Sequence, residues 1–239
     1  PSPYWVTYPE LVIYSGGVPV FIETDESTEF KITAKQLKEK ITPKTKILML
    51  NSTSNPTGSI YSKDELLAIG EVLKGTDIVV LSDEMYEKLI YKGKKFTATA
   101  EVSEDMYNRT VTINGLSKSV AMTGWRFGYV ACPNSALAKA MSKLQGQVTS
   151  NVNSMTQYAA IVALEGEANK DIEMMRVEFE KRKDYAVKAI NNISKLSCYD
   201  PDGAFYLFIN IKKYSNDSMK FCAVLLESKG VALVPGLAF

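Results

Sequence analysis

Apolar runs separated by polar turns predict a series of short buried strands in the first half of the chain. These runs lie at residues 18–23, 45–50, 78–81, 111–113 and 128–131. Between the second and third runs, Ser62 and Glu65 form a capping-box pattern, and Leu66, Ile69 and Leu73 continue it at helical spacing. A strand, a helix and a strand in succession predict a mostly parallel sheet of the α/β class.

Apolar positions recur at helical intervals through most of the second half. Residues 135–144 and 154–164 each favour one helix, and 169–191 predict a third that is much longer. No internal repeat or low-complexity tract interrupts these patterns. The second half is therefore expected to be mainly helical.

Polar side chains stand just after three of the predicted strands. Asn55, Asp83 and Lys118 each follow the carboxyl end of an apolar run. Ligands of open α/β sheets bind at the carboxyl ends of the strands. The sequence therefore predicts a ligand site at this edge, built partly from these three residues.

The chain contains no histidine, which narrows the chemistry available to it. Its 239 residues are 46% hydrophobic, enough to bury a core as one or two domains. Without histidine, Ser-His-Asp and Cys-His catalysis are excluded within this stretch, and a zinc site is not expected. Lysine becomes the leading nucleophile.

The net charge of +1 gives no reason to expect a nucleic acid or another polyanion as partner. Cys132, Cys198 and Cys222 are widely spaced and form no CxxC pair, so we expect reduced, packed thiols and no metal site. No apolar run approaches the ~18 residues of a membrane helix. A cytoplasmic location without a membrane partner is the expectation.

The segment around Lys118 resembles the active-site segment of class I (fold type I) aminotransferases, which depend on pyridoxal 5′-phosphate (PLP). It reads Asn-Gly-Leu-Ser-Lys-Ser at 114–119 and Met-Thr-Gly-Trp-Arg-Phe-Gly-Tyr at 122–129. The resemblance implies that Lys118 forms a Schiff base with the cofactor aldehyde. It also implies that Arg126, with Ser117, holds the phosphate, a role that suits the two parallel donors of a guanidinium.

Two upstream motifs stand in the order that the family requires. Asn-Pro-Thr-Gly at 55–58 resembles the family turn whose asparagine, here Asn55, bonds the phenolic oxygen O3′ of the cofactor. The run that ends in Asp83 and Tyr86 resembles the strand whose carboxylate pairs with the pyridinium nitrogen and whose phenol also reaches O3′. A carboxylate there keeps the ring protonated, so that it can accept electrons from the substrate.

The two outermost motifs extend the resemblance over nearly the whole chain. Trp5 matches the indole that stacks on the cofactor ring, and Pro-Asp-Gly-Ala-Phe-Tyr at 201–206 resembles the segment that opens the family's small domain. The resemblance also implies that Trp5 and Asn55 contact the substrate. Singly, each motif is more typical of an ordinary turn, cap or surface residue. No structural rule demands all five in this order.

The resemblance also sets the expected architecture. It implies a three-layer large domain with a mostly parallel sheet over residues 1–180 and part of a small α/β domain over 181–239, joined through the long predicted helix. Gly115 stands where relatives often carry a hydroxyl shortly before the lysine. The family's phosphate-cradling helix start would precede Pro1, and its substrate-carboxylate arginine would follow Phe239, so we expect an internal portion of a longer enzyme.

The likeness is greatest to bacterial-type aspartate aminotransferases, some of which accept prephenate or aromatic substrates. It implies PLP-dependent transfer of an amino group from an amino acid, aspartate first, to a 2-oxo acid, 2-oxoglutarate first, in a homodimer. Three alternatives stay open: another aminotransferase such as an alanine or aromatic one, a C–S lyase on the same scaffold, and the PLP-sensing domain of a transcription regulator.

Overall fold

A four-stranded sheet organises the computed structural model, which describes all residues from Pro1 to Phe239. Its strands, in spatial order, are β1 Ile47–Asn51, β2 Val79–Asp83, β3 Thr110–Gly115 and β4 Gly128–Ala131. β1, β2 and β3 run parallel, and β4 returns antiparallel to β3. This confirms the predicted α/β class with a mostly parallel sheet.

Helices connect the strands and make up most of the second half. They are α1 Thr7–Tyr14, α2 Ala34–Lys40, α3 Lys63–Leu73, α4 Glu104–Arg109, α5 Leu116–Ser119, α6 Ser135–Val148, α7 Ser154–Leu164, α8 Asn169–Asn191 and α9 Ser218–Lys229. The predicted bounds of α7 and α8 are confirmed, and α6 runs four residues beyond the predicted 144. None of these helices has the length and apolar character needed to cross a bilayer.

The capping box predicted at the start of α3 is present. The Ser62 hydroxyl accepts a hydrogen bond from the Glu65 backbone N–H at 3.3 Å, and the Glu65 carboxylate accepts one from the Ser62 N–H at 2.7 Å. The helix then buries Leu66, Ile69 and Leu73 completely. Each such side chain contributes about 1.5–3 kcal/mol by leaving water. This face holds α3 against β1 and β2.

The main hydrophobic core fills the space between α3, α4 and the sheet. Its members are Ile22, Ile32, Leu37, Leu48, Leu50, Tyr61, Leu66, Ile69, Leu73, Ile78, Val80, Val102 and Met106. β1 and β2 supply alternate residues to it, as expected of strands that show one face to each layer. The carboxyl ends of the strands are thereby fixed on a rigid base.

The strand predicted at residues 18–23 is wrong. Only one isolated parallel bridge forms there, between Glu23 and Ser2, and the rest of the segment is irregular. Val18 and Val20 are exposed, whereas Ile22 is buried in the core. The apolar run is present, but a strand also needs a continuous partner strand. Here the segment before Tyr4 pairs with it through Ser2 alone.

Residues after α8 form a small antiparallel sheet, β5 Ser197–Cys198 with β6 Ile209–Asn210, followed by α9. All three cysteines are free thiols, Cys198 being buried. The loop between β5 and β6 turns back toward the large sheet. It therefore carries residues of the last third of the chain to the carboxyl ends of the strands.

This return loop is held by two glycines at very close range. The Asp202 and Gly203 N–H groups both donate to the Gly58 carbonyl at 3.0 Å. A Cβ on Gly58, whose φ is +71°, would lie 2.4 Å from the Pro201 Cβ, and one on Gly203 would lie 2.5 Å from the Leu89 oxygen. Only glycine fits at either position.

Candidate active site

Asp83 is the last residue of β2 and lies at the carboxyl edge of the sheet, beside Asn51 of β1. Its carboxylate accepts hydrogen bonds from the Tyr8 hydroxyl at 2.6 Å and from the Met85 N–H at 3.1 Å. Burial raises the pKa of the Asp83 carboxyl, and these two bonds only partly oppose the rise. The chain supplies no lysine or arginine as partner to this carboxylate.

Asn55 is held in the turn after β1. Its N–H donates to the Asn51 Oδ1 at 2.6 Å, while the Asn51 Nδ2 donates to the Asp83 carbonyl at 3.0 Å. The Asn55 Nδ2 donates to the Tyr206 hydroxyl at 3.3 Å, and its Oδ1 is buried without any partner. A buried amide with a free acceptor favours a polar ligand at this point.

Tyr86 follows β2 by three residues, and its ring is almost fully buried. Its hydroxyl is hydrogen-bonded to that of Tyr206, and the two rings meet edge to face at 5.6 Å. Burial first, and the bond to Tyr206 second, hold the pKa of the Tyr86 phenol well above its ordinary value. The phenol is therefore a hydrogen-bonding group at neutral pH and not a base.

Lys118 lies in α5, the short helix that follows β3 at the same edge of the sheet. Its side chain is half-buried, and Nζ lies 6.0 Å from the Tyr86 ring centre and 5.5 Å from that of Phe205. Aromatic faces attract an ammonium group over this range. The structure thus brings the amine of Lys118 to two rings that pack against Tyr206, the hydrogen-bond partner of Asn55.

Arg126 and Ser117 are joined through the loop that leaves α5. The Thr123 hydroxyl donates to the Ser117 carbonyl at 2.9 Å, and the Arg126 Nη1 donates to the Thr123 carbonyl at 2.8 Å. Arg126 is exposed and adopts a left-handed backbone with φ 54°. The Ser119 hydroxyl donates instead to the Gly115 carbonyl, which leaves Ser117 as the better hydroxyl for a ligand.

Close packing explains the glycine at position 115. A Cβ at this position would lie 2.8 Å from the Phe127 carbonyl oxygen and 3.1 Å from the Gly128 Cα. The antiparallel pairing of β4 with β3 brings this backbone in. A hydroxyl-bearing residue therefore does not fit at Gly115 unless β4 moves.

Trp5 lies just before α1, with 39% of its surface exposed. Its indole meets the Tyr8 ring edge to face at 5.5 Å, and Tyr8 in turn reaches Asp83. One continuous set of contacts therefore runs from Trp5 through Tyr8 to Asp83. The same edge of the sheet carries Asn55.

Sequence reasoning assigned no role to Tyr8, Phe205 or Tyr206, although all three contact predicted site residues. Tyr8 stands three residues after Trp5, and the two aromatic residues end the motif at 201–206. An aromatic residue within or close to a motif indicates a candidate site residue. Its target lies 75 to 151 positions away, however, and that pairing is visible only in the fold.

The sequence matches aminotransferase class I and II over residues 1–239. It is 48% identical over 244 residues to an aspartate aminotransferase of Geobacillus stearothermophilus, an alignment that covers 100% of this chain and 62% of that protein. The chain therefore spans less than two thirds of the length of this curated relative.

Two solved structures share the fold over the whole chain. The aspartate aminotransferase from Rhizobium meliloti has a TM-score of 0.94 and 40% identity, over 100% of this chain and 62% of that one. The aromatic aminotransferase from Pyrococcus horikoshii has a TM-score of 0.95 and 39% identity, over 100% and 63%. With the family match running from the first residue to the last, the chain belongs to the aminotransferase class I and II family.

Proposed function

We propose that the protein is a PLP-dependent transaminase that moves the amino group of aspartate to 2-oxoglutarate. The observation that carries this proposal is the convergence of Asn55, Asp83, Tyr86 and Lys118 at the carboxyl edge of one sheet. Fold and family do not by themselves fix a reaction. The side chains at this edge are those that the chemistry requires.

Asp83 fits the ring nitrogen of the cofactor. A half-buried carboxylate with a raised pKa and no cation of its own is stabilised by a protonated pyridine nitrogen. Tyr8 and Met85 already hold the carboxylate by its two oxygens. Asp83 therefore needs a cationic partner and has a fixed orientation in which to meet it.

Asn55 and Tyr86 fit the phenolic oxygen. Both can donate to it: the Tyr206 hydroxyl takes one of the two N–H groups on the Asn55 Nδ2, and the Tyr86 hydroxyl has one proton. Ser117 and Arg126 lie on one loop and suit the phosphate, because a guanidinium offers parallel donors to a dianion. Trp5, in contact with the Tyr8 ring, supplies an indole for the cofactor ring.

When bound, PLP supplies an electron sink for the pair left behind as the substrate's Cα loses its proton. The chain supplies the rest. Lys118 Nζ anchors the cofactor and then moves a proton away from Cα, serving as both nucleophile and general base. Asp83 would keep the ring nitrogen protonated, and Tyr86 and Asn55 would donate hydrogen bonds to the phenolic oxygen.

Likeness to aspartate aminotransferases supports aspartate as donor. A second candidate is transamination of aromatic amino acids, favoured by the equally close fold of an aromatic aminotransferase. Comparison of kcat/KM for aspartate and for tyrosine decides between them, because the ratio measures differential transition-state binding. We also propose, from the family resemblance, a homodimer located in the cytoplasm, which sedimentation of the holoprotein and cell fractionation test.

The decisive experiment is reduction of the PLP-loaded protein with borohydride, followed by peptide mapping. The adduct is expected on Lys118, with loss of the visible absorption band. Lys88, exposed and close in sequence to Tyr86, is the internal control and should stay unlabelled. An adduct on any lysine other than Lys118 would contradict the proposal.

A further inference from the structure

The hydroxyl of Tyr206 is the meeting point of two polar groups. The Asn55 amide donates to it from Nδ2 at 3.3 Å, and the Tyr86 hydroxyl is hydrogen-bonded to it directly. Tyr206 lies 151 positions from Asn55 and 120 from Tyr86, so folding alone brings the three together. These are the two groups that the proposed function assigns to the phenolic oxygen of the cofactor.

Tyr206 is held in place by a rigid segment. Asp202, only 2% exposed, pairs with Lys94 at 2.6 Å and with Lys92 at 3.4 Å, and it also accepts a bond from the Tyr199 hydroxyl at 3.3 Å. The Gly58 carbonyl holds the same segment from the other side. The position of the Tyr206 hydroxyl is therefore set by the fold rather than by a mobile loop.

We propose that Tyr206 is a positioning residue for the cofactor: its hydroxyl holds the Tyr86 phenol and the Asn55 amide in the arrangement that binds the phenolic oxygen. This inference rests on the proposed function, because it requires PLP in the site. It assigns a role to the segment at 201–206 that neither the motif nor the family match gives it.

The hydrogen-bonding capacity of the three groups supports this role. A tyrosine hydroxyl has one proton to donate and can accept two bonds, and an asparagine amide has two N–H donors. With the cofactor bound, the Tyr86 hydroxyl would donate a hydrogen bond to the phenolic oxygen and accept one from the Tyr206 hydroxyl. The two N–H groups of the Asn55 amide would donate to the phenolic oxygen and to the Tyr206 oxygen. Each hydroxyl and both Asn55 N–H groups then have a partner, and no proton is gained or lost.

The series of hydrogen bonds from Tyr206 through Tyr86 also strengthens the bond from Tyr86 to the cofactor. Hydrogen bonds in series polarise one another, so a Tyr86 hydroxyl that accepts from Tyr206 becomes a better donor to the cofactor. Burial raises the pKa of both phenols, which keeps both protons in place at neutral pH. Tyr206 thus acts on the cofactor through Tyr86 and Asn55.

The hydroxyl can be removed without disturbing the ring. The Tyr206 ring packs against the rings of Tyr86 at 5.6 Å and Phe205 at 4.9 Å, and a phenylalanine preserves both contacts. Tyr206→Phe therefore isolates the hydrogen bonds. Tyr214→Phe is the matched control, because it removes one tyrosine hydroxyl, bonded to the Ser194 carbonyl at 2.7 Å, outside the segment at 201–206.

The test measures PLP affinity by equilibrium dialysis and the pH midpoint of the visible band for wild type, Tyr206→Phe, Tyr86→Phe and the double variant. We expect Tyr206→Phe to weaken PLP binding by roughly two- to tenfold, the range for one lost hydrogen bond. A phenolic oxygen that receives weaker hydrogen bonds is more basic, so the pH midpoint of the visible band should rise. The rise should be smaller than the one in Tyr86→Phe. In the Tyr86→Phe background, Tyr206→Phe should add little.

Tyr206→Phe that matches wild type in both measurements, while Tyr86→Phe changes both, would overturn the inference and leave the proposed function standing. A midpoint shift to lower pH, or effects that add fully in the double variant, would also overturn the inference alone. Wild-type protein that binds no PLP at Lys118 would overturn the inference and the proposed function together. Thermal unfolding of each variant, compared with Tyr214→Phe, confirms that the fold is kept.

Discussion

The Tyr8 hydroxyl donates a 2.6 Å hydrogen bond to the Asp83 carboxylate, which lies 75 positions further along the chain. Tyr8 is in the first turn of α1, and its ring also meets the Trp5 indole. The bond lowers the pKa of the Asp83 carboxyl against the larger effect of burial. Tyr8 therefore favours the charged form of Asp83 and fixes the direction in which it faces.

Tyr8→Phe should weaken PLP binding and move the acidic limb of the activity profile to higher pH. Without this donor the pKa of Asp83 rises further, so the carboxylate, which must be charged to hold the ring nitrogen, is lost earlier as the pH falls. A hydrogen bond to a charged group contributes about 1.5–3 kcal/mol. Tyr4→Phe, in a ring stacked on Phe21, is the control, and equal profiles for both variants would contradict this role.

Asp83→Ala should cost far more activity than Tyr86→Phe. The first removes the charge that keeps the ring nitrogen protonated. The loss should raise the activation free energy by ~3–4 kcal/mol or more. The second removes one hydrogen bond of roughly 0.5–1.5 kcal/mol. Single-turnover transamination by the PLP-loaded protein measures both, and equal rate losses would refute the assigned roles.

Gly58→Ala should destabilise the protein more than Gly75→Ala does. Both glycines have positive φ, but a Cβ at Gly75 meets open space, whereas one at Gly58 collides with Pro201. The positive φ costs each variant about 1 kcal/mol, and overpacking adds about 1–3 kcal/mol at Gly58 alone. Urea unfolding measures the difference. PLP affinity should fall only in Gly58→Ala, because Tyr206 moves with the segment.

Glu84→Gln should become more stable relative to wild type as the pH rises. Burial chiefly, with a contribution from Glu87, raises the pKa of the Glu84 carboxyl above its ordinary 4.5, although Ser82 and the Thr99 N–H donate to it. A carboxyl with a raised folded pKa favours folding below the unfolded pKa and loses that contribution as the pH climbs through the folded pKa.

Glutamine keeps an oxygen for both donors and does not titrate, so it avoids that loss. Urea unfolding at about pH 4 and about pH 8 gives the stability difference at each end of the titration. Glu10→Gln, on the exposed face of α1, is the control. A stability difference that is the same at both ends would contradict the raised pKa of Glu84.

Local patterns predicted the elements well, because their causes are local. The Ser62 capping box and the apolar spacing of α8 act within a few residues, and both are present as expected. The failure at residues 18–23 came from a partner strand that the pattern cannot report. The site contacts of Tyr8 and Tyr206 were not predicted for the same reason, since their partners lie far away in the chain.

The Gly58 carbonyl, which accepts from both Asp202 and Gly203, closes a small ring of chain. One arm runs from Asn55 to Gly58 and the other from Gly203 to Tyr206, each four residues long, and the arms meet again where the Asn55 amide reaches the Tyr206 hydroxyl at 3.3 Å. Such a ring closes only when both arms have this length. An insertion or deletion of a single residue in either arm opens it, so these two stretches must keep their length over evolutionary time as well as their two glycines.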